Sequence, residues 1–144
     1  MTVGEKRNHL INIAKGNRII FVDDDDHVTE NYVDKLLEYC SLDFDVISIG
    51  AKMTTQGKYE RVYDYNFKKN INTRVDGKLI AGRVPDHLCL WRKSIAQRVK
   101  FPDRSHGEDH IWAEAQALKD YTFHDTKEIL YHYDFDKFKT QTRL

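Results

Sequence analysis

Apolar positions along the chain recur first at helical and then at strand spacing. Between Gly4 and Ala14, Leu10, Ile13 and Ala14 share one side of a helix, and Gly16 follows where a C-cap is expected. Ile19-Ile20-Phe21-Val22 is apolar without alternation, the pattern of a strand covered on both faces inside a parallel, helix-flanked sheet. Aspartates fill positions 23 to 26 directly afterwards. Thr29 can cap a second helix, in which Tyr32, Val33, Leu36, Leu37 and Cys40 form an apolar stripe. Phe44 to Ile49 reads as another buried strand. From Lys52 to Ile80 the chain is polar with interleaved tyrosines, and turn signals at Gln56-Gly57 and Asp76-Gly77 predict antiparallel hairpins. Tyr59, Tyr63 and Tyr65 alternate as one strand face would. Pro85 to Trp91 predicts a short extended segment, Lys93 to Val99 a short helix, and Glu108 to Leu118 a longer helix presenting Ile111, Ala115 and Leu118. Tyr121 to His124 and Ile129 to Tyr133 predict two final strands. Helix, strand, helix, strand and then a mixed region make an α/β fold.

Composition narrows the function classes. The 144 residues fit one domain, 1–144, and 40% hydrophobic content supports a packed core. Lys and Arg number 23 against 23 Asp and Glu, so the basic surplus of a general nucleic-acid binder is missing. No apolar run reaches the ~20 residues of a membrane span, and the first residues lack the apolar stretch of a secretory signal. Cys40 and Cys89, each near apolar residues, read as reduced core residues of a cytoplasmic protein.

The aspartate run carries the strongest chemical signal. On an extended chain Asp23 and Asp25 project to one side, roughly 6–7 Å apart, and can converge on one hard cation with Asp26 nearby. Ligands in open α/β sheets bind beyond the carboxyl ends of strands, where this run sits. A solvated turn capping the next helix is the bland explanation, and the preceding apolar run favours the metal. An EF-hand fails, because its glycine and final glutamate positions hold Val28 and Asp34. Glu108 and Asp109 open the predicted helix, where the dipole favours carboxylates; functionally, one of them can be a general base. Lys6, Arg7 and Asn8 form either a solvated face or a phosphate anchor. The histidines make no zinc signature, although His132 could complete an aspartate metal site or simply be a core or surface residue. Trp91 and Trp112 read as packing residues before sugar platforms. Phosphate-loop, dinucleotide and nucleophile-elbow motifs are absent from the sequence.

In this order the pieces resemble family 2 glycosyltransferases of the GT-A fold. VGEKRNHLINIAKGNRIIFVDDDD is similar to that family's basic-Asn helix, Ala-x-Gly turn, apolar strand and DxD motif. PDHLCLWRKSI looks like its acceptor-side segment, and HGED before an apolar helix looks like its catalytic carboxylate motif. The resemblance implies a Rossmann-like mixed sheet flanked by helices, N-terminally truncated because the chain starts after the family's first two strands. It implies transfer of a sugar, with inversion, from a nucleotide-sugar donor (a UDP-sugar in the first instance) to a saccharide or other hydroxyl acceptor. Asp25 would bind Mn²⁺ or Mg²⁺ bridging the donor diphosphate, with Asp26 in support and His132 as a late ligand. Asp23 would contact the donor and the metal site, and Lys6, Arg7 and Asn8 would face the nucleotide. Asp109 would be the base, with Glu108 beside it. A GT-A remnant acting as a binding module, or half of an enzyme completed by a partner chain, is the competing expectation. A glycoside hydrolase is weaker, since contiguous aspartates do not serve it. The missing strands would leave an exposed apolar sheet edge or face beside Ile19 to Val22, and self-association or a partner subunit is expected there.

Overall fold

The computed structural model describes residues 1–67, 72–75 and 78–135, so the Asp76-Gly77 turn lies outside the described residues, as does the side chain of Tyr59. The chain order is α1 (Val3–Ile13), β1 (Arg18–Ile19), β2 (His27–Val28), α2 (Tyr32–Tyr39), β3 (Val46–Thr55), β4 (Lys58–Tyr65), β5 (Asn72–Val75), β6 (Lys78–Arg83), β7 (Leu90–Arg92), α3 (Lys93–Ala96), α4 (Glu108–Ala117) and β8 (Phe123–Phe135). The α/β class is as expected.

The buried strand β3 organises a mixed sheet. Along one edge it runs parallel to β8, and along the other it pairs antiparallel with β7 at Val46–Ile47 and with β4 from Ala51. β1 continues the sheet beyond β7, while β6, parallel to β4, and then β5 continue it beyond β4. The hairpin between β3 and β4 turns at Gln56-Gly57, both at positive φ (51° and 74°), as an isolated two-residue turn with the sheet's twist demands.

Several local expectations need correction. The run Ile19 to Val22 is not an interior parallel strand: only Arg18–Ile19 is strand, it lies antiparallel to β7, and Ile19, Ile20 and Phe21 are half-buried with Val22 exposed. Beside it an apolar groove of about 420 Å³ is lined by Leu10, Ile11, Ala14 and Ile19 to Val22. The α1 face that packs is Gly4 and Ile11, with Leu10 and Ile13 exposed, and the helix stops at Ala14 without a left-handed glycine cap. On α2 the buried positions are Tyr32, Leu36 and Tyr39, whereas Val33, Leu37 and Cys40 are exposed, and the N-cap is Asn31 instead of Thr29. On α4 the core face is Trp112, Ala113 and Gln116, and Ile111 and Leu118 face outward. The two final strands are one: β8 passes through an irregularity opposite Gly50, with Lys127 at φ 58°.

Trp91, Trp112 and Phe101 form an aromatic cluster in the core: Phe101 stacks on Trp112 with centroids 4.5 Å apart, and Trp91 meets Trp112 edge-on at 4.7 Å. Both indole N–H groups donate to backbone carbonyls, Trp91 to Asp86 and Trp112 to Val99, as buried tryptophans require. The cluster joins β7 to α4 and so fixes the start of α4 against the sheet. No helix among the described residues is long and apolar enough to cross a membrane.

Candidate active site

The aspartate run is a turn. The Asp26 N–H donates to the Asp23 carbonyl at 3.1 Å, which puts Asp24 and Asp25 at an exposed corner. The extended geometry that would have set Asp23 and Asp25 side by side is therefore replaced. Tyr131, buried on β8, ties the ends of the turn together: its hydroxyl accepts from the Asp23 N–H at 3.1 Å and donates to Asp26 Oδ2. Asp26 Oδ1 is buried without a hydrogen-bond partner. Burial, with the charges of Asp23 and Asp25, pushes the Asp26 carboxyl up to about 6 despite the Tyr131 bond.

Asp23 is held from two sides. Arg7 Nη2 reaches its Oδ1 at 3.1 Å and His87 Nε2 its Oδ2 at 3.1 Å. Burial raises this carboxyl, but the bonds and charges of His87 and Arg7 outweigh it and leave Asp23 at about 2. Arg7 is no solvated helix charge. Its Nε also binds Glu108 Oε1 at 3.2 Å, and its guanidinium lies over Phe21 and Phe101, 5.1 and 5.9 Å from the ring centroids. Glu108 and Asp109 begin α4 after Gly107, an N-cap at φ 74°; Glu108 is buried and Asp109 is partly open. Two side chains from other elements, Arg7 and His87, thus bring the aspartate turn and the Glu108-Asp109 pair into one cluster.

His87 arrives on the segment between β6 and β7, and burial alone would lower its pKa. The Asp23 bond and the charges of Asp86 and Asp23 prevail, so the imidazole is held above its ordinary value. Asp86 is buried too, accepting from the Leu88 N–H at 2.9 Å and from Tyr65 Oη at 3.4 Å, and burial raises its carboxyl. A cavity of about 210 Å³ opens beside these groups, bordered by Arg83, Asp86, Asp109 and His110.

The other anticipated residues lie as follows. Lys6 is exposed. Asn8 spends its amide on the Phe101 backbone, donating to its carbonyl at 2.9 Å and accepting from its N–H at 2.8 Å. His132 bonds Thr54 Oγ1 at 2.9 Å and sits across from His27, while its neighbour Tyr131 is the β8 residue that reaches the aspartate turn. Successive strand residues point to opposite faces, and nothing in the sequence says which of the two faces the turn meets. Sequence reasoning gave Asp86 and His87 no role of their own: they stood only within the PDHLCLWRKSI segment, as a polar pair between apolar neighbours.

The sequence model of Glycosyl transferase family 2 matches residues 2–100, which include Arg7, the aspartate turn and His87. The chain belongs to this family. No curated protein matches the sequence. Among solved structures the fold is similar to S. aureus TarS 1-349, with a TM-score of 0.65 and 18% identity over 92% of this chain and 40% of that one. A second S. aureus TarS structure matches with a TM-score of 0.62 and 19% identity, over 93% of this chain and 24% of that one. The chain thus spans well under half the length of these proteins, and shares with them the GT-A fold. A divalent ion, which the resemblance to the family implies, would meet carboxylate oxygens at Asp25 and Asp26. Among the described residues no three His, Cys, Asp or Glu side chains gather as a ligand set. That still fits Mg²⁺ or Mn²⁺, since Mg²⁺ is commonly held by one or two carboxylates together with substrate phosphates and waters. The unpartnered Asp26 Oδ1 is an oxygen of the kind such an ion takes.

Proposed function

We propose that this domain transfers a sugar from a nucleotide-sugar donor to an acceptor hydroxyl with inversion at the sugar carbon. One observation supports this reading above the others: Arg7 and His87 gather the aspartate turn and Asp109 at one cluster, beside a cavity that Asp109 borders. Asp109 is the only member of that cluster both partly open and on the cavity wall, which suits a group that must reach an acceptor proton. Taking that proton sharpens the hydroxyl as a nucleophile, and attack from the face opposite the departing diphosphate gives inversion. Asp25 and Asp26 would hold the Mn²⁺ or Mg²⁺, while His132, on the opposite face of β8 from Tyr131, is dropped as a ligand; the ion would supply positive charge to offset that developing on the leaving diphosphate.

Glu108 and Arg7 serve this arrangement by fixing α4 against the aspartate turn. Asp23, whose carboxyl is held low by Arg7 and His87, would be the residue that meets the donor. Lys6, exposed on the same helix as Arg7, would be a cation for a donor phosphate.

Calorimetric titration with UDP, and then other nucleoside diphosphates, tests the donor side. Saturable binding that needs Mn²⁺ or Mg²⁺ and weakens in Asp25→Asn is expected. Binding that ignores both the ion and the substitution would refute the metal assignment, and no binding at millimolar ligand would favour a remnant that no longer takes a donor.

A further inference from the structure

We propose that His87 is a positioning residue that holds the Asp109 carboxylate in register with Asp23. The inference rests on Asp109 being the base, and extends it to a group that never needs to touch substrate. His87 is 4% exposed, and its Nδ1 is buried. Nε2 is anchored on Asp23 Oδ2 at 3.1 Å. Nδ1 is buried with no hydrogen-bond partner, and the carboxylate across from it is Asp109, whose Oδ2 lies 3.9 Å away.

A buried ring nitrogen without a partner is costly, so its placement calls for a physical reason. The gap to Asp109 is less than one ångström beyond a good hydrogen bond, and a partly open side chain can close it by a rotamer adjustment. Hydrogen bonds in ligand-free active sites are often long and tighten once substrate is in place. In the imidazolium form, in which both ring nitrogens donate, closing the gap would satisfy Nδ1–H and restrict Asp109 to one orientation. Asp23 and Asp109 come from different elements, and the imidazole is a rigid spacer of fixed length between them. Arg7 does the same for Asp23 and Glu108, so the two acidic motifs are cross-braced by one guanidinium and one imidazole.

The contact is tested by long-range proton–nitrogen spectra of histidine side chains in the full chain. Asp109→Asn is expected to move the Nδ1 resonance of His87, and Asp23→Asn its Nε2 resonance. An unchanged Nδ1 resonance in Asp109→Asn overturns the proposal, whether or not the protein turns over a donor. Kinetics then test the consequence. His87→Phe, close in shape but without ring nitrogens, should lower kcat by ~10–100-fold with KM for the donor little changed. His87→Gln, which keeps one amide donor, should recover part of that loss. In the Asp109→Asn background, His87→Phe should have no further effect. Additive losses, or a loss confined to KM, would overturn the positioning role. Absence of turnover in the wild type, with the Nδ1 response intact, would remove the transferase reading and leave the His87 brace standing.

Discussion

Replacing Arg7 with methionine removes the guanidinium that joins α1 to both acidic motifs while keeping most of its apolar stem. Glu108 is then left with its side chain 6% exposed and its cationic partner gone, whereas Asp23, at 32%, keeps His87 and some water. Breaking a buried ion pair from one side costs ~3–5 kcal/mol, and one orphaned carboxylate with the other relieved puts this case at the low end. Loss of the guanidinium from the faces of Phe21 and Phe101 adds ~1 kcal/mol. The expected loss is therefore about 4 kcal/mol, or roughly 10–15 °C in Tm for a chain of this size. Urea unfolding followed by tryptophan fluorescence suits the measurement, because Trp91 and Trp112 are both buried in the cluster beside α4. Adding Glu108→Gln should restore about 1–2 kcal/mol by removing the stranded charge. A loss of less than about 1 kcal/mol for Arg7→Met, the range of an exposed ion pair, would refute the brace. So would a double variant no more stable than the single one.

Three further outcomes follow from the same geometry. The native state keeps a proton on Asp26 up to about pH 6, whereas the unfolded chain loses it near the ordinary 3.8. Stability from this group therefore rises as pH falls from 6 towards 4. Asp26→Asn, measured in chelator, should have a higher Tm than wild type at pH 7.5, with the advantage fading by pH 4; a pH-independent difference would contradict the assignment. Gly4→Ala would gain ~1 kcal/mol from helix propensity alone, but its Cβ would lie 1.8 Å from the Pro102 carbonyl oxygen, so a net loss of ~1–3 kcal/mol is expected in urea unfolding. Lys6→Ala should leave stability within ~0.5 kcal/mol while weakening nucleoside-diphosphate binding in calorimetry, the reverse of what Arg7→Met does to stability.

What could be read from the sequence was local. The helical spacing of α1 and α4, the Gln56-Gly57 turn and the apolar run ending in aspartates each depend on neighbours within a few residues. Which face of a helix is buried depends on the rest of the fold. On α4, Ile111 and Trp112 are adjacent, and only the aromatic cluster with Trp91 and Phe101 decides that Trp112 turns inward. Ile19 to Val22 has the composition of an interior strand, but only Arg18–Ile19 is strand and it lies at the sheet edge beyond β7, a matter of topology that composition does not encode. The residue types of the site were legible and its wiring was not. Arg7 on a helix reads as a solvated charge until Asp23 and Glu108, distant in sequence, close on it. His87 carried no spacing signal at all, because its partners are joined to it only by the packing of three separate segments.

Donor turnover tests the central claim most directly. The intact chain is supplied with nucleotide-sugars, UDP-sugars first, and Mn²⁺ or Mg²⁺, and release of nucleoside diphosphate is followed for the wild type and for Asp109→Asn. The account predicts release by the wild type and a fall of ~10²–10⁴ in Asp109→Asn, with metal and nucleoside-diphosphate affinity preserved. Equal rates in the two proteins would show that Asp109 is only a helix-end carboxylate, and no release from any donor by the wild type would contradict the transferase function itself.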